Sequence, residues 1–394
     1  MAVNKLDITM MEDVGTSASQ LLQRDGSGNI PAVDGSQVTG VDTGFTTSTS
    51  DPAIDTNPSG GVGSLWYNKT GGEMYVCTDA TAGENVWTNI GEGTGNIKAW
   101  GGQTYGYTAG GSNAVTGEIN PIDRFSFTSD GNASDVGDLV VARHNCAGHQ
   151  SATYGYHFGG WGPGYSNVIE KVSFATATAN ATDVGNLTTI PHGPTGSSST
   201  TYGYCQGGKT AAPTWVDIID KVSYSTDGDA TDVGNLTLER QQGAGQSSMT
   251  HGYMSGGNRN HPTPYDRIDK HSFSTDGNAT DVGNLLANND NLAGQSSNTH
   301  GYTAGGGLDN TGVNVIQKFS FSSDGNSTDV GDTVHTRYGQ CGQSSMTYGY
   351  VSGGSVALPT PLNYIDKFSF STDGNSTDVG DLSVSRLQSA GFHV

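Results

Sequence analysis

A chain of 394 residues with a formal charge of −21, 60 glycines, 33% apolar and 14% charged residues can bury a sizeable core, but one broken up by many turns. The charge argues against nucleic acid and anionic membranes as partners, because neutralising phosphates takes clusters of Lys and Arg that this sequence lacks. No apolar run is long enough to cross a bilayer, and the opening MAVNKLDITMMED has neither the basic nor the apolar stretch of a secretory signal.

Residues 1–45 include Leu21-Leu22-Gln23-Arg24-Asp25-Gly26 and Val33-Asp34-Gly35-Ser36-Gln37-Val38, too polar and too short to form a core without a partner. This texture resembles the attachment region of bacteriophage fibre proteins, where such segments are stabilised by intertwining three chains. The resemblance implies a homotrimer, contact with other virion proteins and a place on a tail or head fibre. Residues 46–95 contain three strand-like runs separated by turns, Gly63-Ser64-Leu65-Trp66-Tyr67-Asn68, Gly72-Glu73-Met74-Tyr75-Val76-Cys77 and Asn85-Val86-Trp87-Thr88-Asn89-Ile90. They are similar to the small β modules of phage fibres, with Trp66 and Trp87 as the expected core.

From residue 96 to 394 the chain is six near-copies of one segment. Each has a Tyr/His-Gly-Tyr triplet, beginning at Tyr105, Tyr154, Tyr202, His251, His300 and Tyr348, so the period is 48 or 49 residues. A repeat of that size signals a solenoid, a propeller or an array. Within a copy, Phe368 and Phe370 flank Ser369 with the period-2 pattern of a half-buried strand, and no copy has helical periodicity. Asp-Gly pairs at Asp130, Asp227, Asp276, Asp324 and Asp373 suit tight hairpins between third and fourth strands. The second copy has Ala175-Thr176-Ala177-Thr178-Ala179-Asn180 instead, which predicts a looser turn.

Four antiparallel strands per repeat make a propeller blade. The Gly-Gly closing the second strand, and an Arg eight residues past the Asp of Asp-Val-Gly, resemble kelch repeats; Arg143, Arg240, Arg337 and Arg386 hold that place, with Pro191 and Asn289 in two copies. The tryptophan usual in a kelch fourth strand is absent, so the pattern is a divergent one. The expectation is an all-β chain: a six-bladed kelch-like β-propeller over 96–394, preceded by the attachment segment and the small β module. Each Asp-Val-Gly aspartate lies 19 positions before the next triplet, as from Asp135 to Tyr154. After Asp378 no seventh triplet follows, and Ser389-Ala390-Gly391-Phe392-His393-Val394 occupies the slot of a first strand. This predicts a ring whose first blade is completed by the C-terminal strand, leaving no open edge.

Cys77, Cys146, Cys205 and Cys341 stand singly and read as free thiols. Turns such as Ser274-Thr275-Asp276-Gly277-Asn278 resemble oxygen-rich calcium loops, but one turn offers too few oxygens by itself; no cofactor is expected, with calcium at the Asp-Gly turns as the alternative. The same turns superficially resemble the Asp-boxes of sialidases, but Asp281 stands where their closing Trp would be. Arg and Asp recur at equivalent places in most copies, whereas catalysis needs a few unlike groups that converge; no enzymatic activity is expected. The arginines are expected to pair with blade aspartates or to line the channel mouth, and His251 and His300 to fill the packing place of the tyrosine they replace.

The copies differ most after the Gly-Gly, over Ser112 to Pro121, Trp161 to Val168, Lys209 to Ile218, Asn258 to Arg267, Leu308 to Val315 and Ser355 to Tyr364. In a four-stranded blade these loops share one face with the connections between blades, such as Pro191-His192 and Asn288-Asn289-Asp290-Asn291. The candidate binding residues on that varied face are Trp161, Tyr165, Trp215, His261, Tyr265 and Tyr364, since aromatic rings beside polar groups suit stacking on a sugar or anchoring a protein. The expectation is a virion adhesin that holds a host-surface glycan or protein; the alternatives are a passive connector or decoration protein and a glycan-cleaving propeller.

Overall fold

The computed structural model describes residues 45–90 and 104–394, apart from 177, 179, 212–213, 261–262, 309–310 and 358–359. Residues 1–44, which carry nearly all of the expected attachment segment, lie outside the described residues, as do Ala177 and Ala179 of the second copy's turn. The described chain is all-β, in two compact units, Met1–Lys98 and Ala99–Val394.

In the first unit, Leu65–Asn68, Glu73–Asp79 and Val86–Asn89 form an antiparallel sheet, as the three apolar runs predict. A fourth strand, Phe45–Ser48, adds in parallel to Leu65–Asn68; Phe-Thr-Thr-Ser has no alternation by which sequence could reveal it. Trp87, Tyr75 and Cys77 are buried. Trp66 is half-buried and meets Trp87 edge-on, with centroids 5.9 Å apart. Fully buried Asn85 donates its amide to the carbonyl of Ile54 and to Asn57 Oδ1, both at 2.8 Å.

The second unit contains six antiparallel sheets, one per repeat; five have four strands, and the fifth sheet has five because the short strand Gly307–Leu308 also pairs with its third strand. The second sheet, Ala147–Gln150, Tyr154–Phe158, Val168–Ser173 and Thr182–Asn186, sets the pattern. The first sheet takes its first strand, Ala390–His393, from the C-terminus and pairs it with Tyr105–Ala109. In each third strand an Ile and the residue after it are both buried, and alternation resumes beyond them, for instance Ile122 and Asp123 buried, Arg124 half-buried and Phe125 buried. A bulge falls between that Ile and the next residue in all six sheets. Asp-Val-Gly faces it: Ile122 opposes Gly137 and Asp123 opposes Asp135, leaving Val136 as the extra residue. The motif glycine is needed because the next sheet's turn presses on it. A Cβ on Gly185 would lie 2.2 Å from the Gly228 carbonyl oxygen, and one on Gly380 2.2 Å from that of Gly131.

Successive sheets meet through contacts that return to their start. Asn145, Gly193, Gln242, Asn291, Gly339 and Gln388 all have φ between 51° and 67°. Each donates its backbone N–H to the carbonyl of the one before, and Asn145 donates to Gln388 at 2.7 Å, which closes a cycle of six hydrogen bonds. A second cycle runs through the first strands, where a Cβ on Gly148, Gly196, Gly245, Gly294, Gly342 or Gly391 would strike the carbonyl oxygen of the neighbouring glycine at 2.0–2.5 Å. The six first strands line a polar cavity of about 130 Å³. At the far end of the sheets a turn side chain caps each fourth strand of its neighbour, as Asn278 Oδ1 accepts the Asn235 N–H at 3.1 Å and Asn132 Oδ1 that of Asp381 at 3.1 Å.

Candidate functional site

The second-to-third connections and the links between sheets lie at one end of the unit, because each strand reverses the last. There, the residue that follows the repeated Arg position pairs in both directions with the residue that follows the Gly-Gly. The six pairs are His144 with Trp161, His192 with Lys209, Gln241 with Asn258, Asp290 with Gly307, Tyr338 with Ser355 and Leu387 with Ser112. Their N–H···O distances run from 2.8 to 3.3 Å. One backbone frame therefore carries six different pairs of side chains.

The arginines hold this frame from beneath. Arg240, Arg337 and Arg386 are fully buried against Asp269, Asp366 and Asp123 of a third strand, and Arg143 is paired with Glu170. Arg143 also donates to the carbonyl of Gly159 at 2.7 Å and Arg337 to that of Gly353 at 3.2 Å. Asn289, standing for Arg, keeps that bond by donating to the Gly305 carbonyl at 3.0 Å, and the acid opposite it is replaced by Gln317. Of the two expected roles, pairing with third-strand carboxylates is the one the structure places.

The varied side chains gather most densely around the second and third sheets. The Trp161 and Tyr165 rings meet edge-on at 4.8 Å, Tyr165 and His192 at 6.1 Å, and His192 and His144 at 5.8 Å. Half-buried Lys209 lies over the Trp215 ring, 5.1 Å from its centroid. Asn145 Nδ2 is 2.9 Å from His192 Nε2, and Glu118 Oε1 is 3.5 Å from His144 Nδ1. Burial pushes the His192 imidazole down to about 4. It also lowers that of His144, against the pull of Glu118, so both rings are neutral at pH 7. The remaining candidates lie apart from this group. Tyr364 stacks on His335 at 4.6 Å. Half-buried Tyr265 is held by backbone bonds with Gly257 and Asn289, and His261 lies outside the described residues.

Sequence reasoning missed His144, Lys209 and His335 as members of this surface. His144 directly follows Arg143, so aligning the six copies on that arginine would have found the varied column His144, His192, Gln241, Asp290, Tyr338 and Leu387. Conversely, Asn289 and Asp290 are buried rather than displayed; Asp290 accepts from Asn258 at 2.6 Å and Asn291 at 3.0 Å. No protein-family model matches the chain, and no curated protein matches it.

At the opposite end, Lys171, Lys221, Lys270, Lys318 and Lys367 meet the turn residues Asp227, Asp276, Asp324, Asp373 and Asp130 of the next sheet. The carboxylates singled out as a calcium alternative thus each hold an ammonium group. Among the described residues no group of three or more His, Cys, Asp or Glu is arranged to hold a metal. The four cysteines are free and buried.

Proposed function

We propose that this chain is a phage virion fibre or adhesin protein whose second unit is a six-bladed kelch-like β-propeller. Its varied face binds the host cell surface, in the first place a glycan, and its N-terminal region joins it to other virion proteins as a homotrimer. The cycles of contacts between the six sheets support the propeller reading. The binding reading rests above all on the six backbone bridges. Their geometry is held constant while their side chains differ, which is how a rigid scaffold presents a recognition surface. Aromatic rings half-buried beside polar groups, as around Trp161 and Trp215, suit stacking on sugar rings.

The test is binding of the full chain to intact candidate host cells, with Trp161→Ala and Trp215→Ala compared. Saturable binding weakened at least tenfold by either change is expected, the scale of a lost anchor residue at about 1.4 kcal/mol or more. Absence of binding to a host that the virion infects would turn the assignment towards a connector or decoration protein.

A further inference from the structure

We infer that the part of the varied face between the second and third sheets is a subsite for a carboxylate-bearing sugar, with Lys209 as the group that meets the carboxylate. This deepens the host-glycan reading and rests on it.

The chain is strongly acidic, with 17 Lys and Arg against 38 Asp and Glu, so an uncompensated cation is uncommon. The five third-strand lysines are each taken up by a turn aspartate. Arg143, Arg240, Arg337 and Arg386 are buried in their pairs. Arg259 and Arg267 meet Glu239 and Asp281. Arg124, Lys69 and Lys209 are left without a carboxylate at ion-pair distance among the described residues; Arg124 lies over Tyr105 in the first sheet, Lys69 belongs to the first unit, and Lys209 is the one on the varied face, its ammonium resting on the Trp215 indole. An ammonium over an indole keeps its charge and is held in place while still free to accept an anion.

Lys209 is fixed by strand pairing opposite Trp215 and by two-way bonds with His192, each 2.9 Å. On its other side His192 leads to Tyr165 and Trp161. The result is a charge on one indole beside a row of rings that runs from His192 through Tyr165 to Trp161, the combination that a sugar with apolar ring faces and one carboxylate would match. The neighbouring imidazoles are neutral at pH 7, so Lys209 is the cation of this cluster. Glu118, beside His144, stands at the opposite margin and would repel an anion there, which orients the carboxylate towards Lys209.

The experiment measures binding of the full chain to oligosaccharides that carry uronic or sialic acids, and to the same oligosaccharides with their carboxylates reduced to alcohols. At low salt the acid forms are expected to bind about fivefold or more tightly than their reduced counterparts, the scale of one exposed ion pair. Lys209→Gln should bring the ratio of acid-form to reduced-form affinity down to about one, and Lys209→Arg should retain the preference. Trp161→Ala should weaken both forms. If the protein binds host cells but no acid form better than its reduced counterpart, the subsite assignment is overturned and the adhesin reading stands. If it binds no host cell, both fall.

Discussion

The ring of Phe392 covers Gly155 so closely that a Cβ on the glycine would fall 2.3 Å from it. Phe392 belongs to the first strand of the first sheet and Gly155 to the second strand of the second. Four other triplet glycines are covered from within their own sheet, Gly106 by Phe125, Gly252 by His271, Gly301 by Phe319 and Gly349 by Phe368. The second and third sheets have Val172 and Val222 at that place and borrow the ring from the preceding sheet, Phe392 over Gly155 and His149 over Gly203. Where a sheet supplies its own ring, the preceding first strand offers Ser197, Gln246, Gln295 or Gln343 instead. Three of these Gln amides donate to the next sheet's triplet, at the carbonyls of Tyr302, Tyr350 and Tyr107. Each junction therefore holds one ring, supplied from either side.

Exchanging the supplier should be tolerated better than the sum of its two separate changes. Phe392→Gln leaves a cavity over Gly155 and is expected to cost about 3 kcal/mol or more. Val172→Phe puts two rings in one place and should cost about 1–3 kcal/mol. The double variant rebuilds the arrangement seen at Gly301 and should be more stable than the summed single losses imply, a coupling of about 2 kcal/mol in urea denaturation. Strictly additive losses would sink the one-ring rule.

The buried ion pairs predict an asymmetry. Asp269→Asn strands the fully buried Arg240 guanidinium and is expected to destabilise by about 3–5 kcal/mol. Asp220 occupies the equivalent place in the third sheet, but Pro191 stands where its arginine would be. Burial raises its carboxyl pKa, and among the described residues it accepts only from Thr188, from Oγ1 at 2.6 Å and the backbone N–H at 2.9 Å. Asp220→Asn leaves no cation stranded and should change stability by about 1 kcal/mol or less. Equal losses at the two positions, measured by chemical denaturation, would overturn this account.

Much of the framework was legible because its motifs are local. Asp-Val-Gly and the triplet Gly each serve one close approach that recurs at a fixed spacing, so the number of repeats, the strand pattern and the place of Ala390–His393 could be read from spacing. What stayed hidden depends on partners in different sheets. Nothing near Arg240 in sequence points to Asp269, and Val172 makes sense only beside Phe392. The site divides the same way. Trp161 and Tyr165 lie in one short loop and were found together, whereas Lys209, in Gly208-Lys209-Thr210, reads as an ordinary solvated lysine until its strand pairing places it on Trp215.

His271 supplies the last prediction, because it is the one imidazole among the four rings that cover their own sheet's glycine. It is 3% exposed, and neither ring nitrogen has a hydrogen-bond partner among the described residues. Burial, with a smaller contribution from His251 and opposed by Asp269, drives its pKa down to about 3, against about 6.5 for an unfolded histidine. Between those values the unfolded chain binds the proton and the folded chain does not, so stability contributed by the neutral ring is lost as pH falls from about 6.5 towards 3. A phenylalanine in its place would match Phe125, Phe319 and Phe368 of the other sheets, so His271→Phe should stabilise the protein at pH 7 by removing two unsatisfied nitrogens. Its advantage should grow by about 1.4 kcal/mol for each pH unit below 6.5. Comparing variant and wild type by urea denaturation at pH 7 and pH 5 cancels the acid sensitivity of the carboxylate pairs they share, and parallel pH profiles would show that His271 does not carry this term.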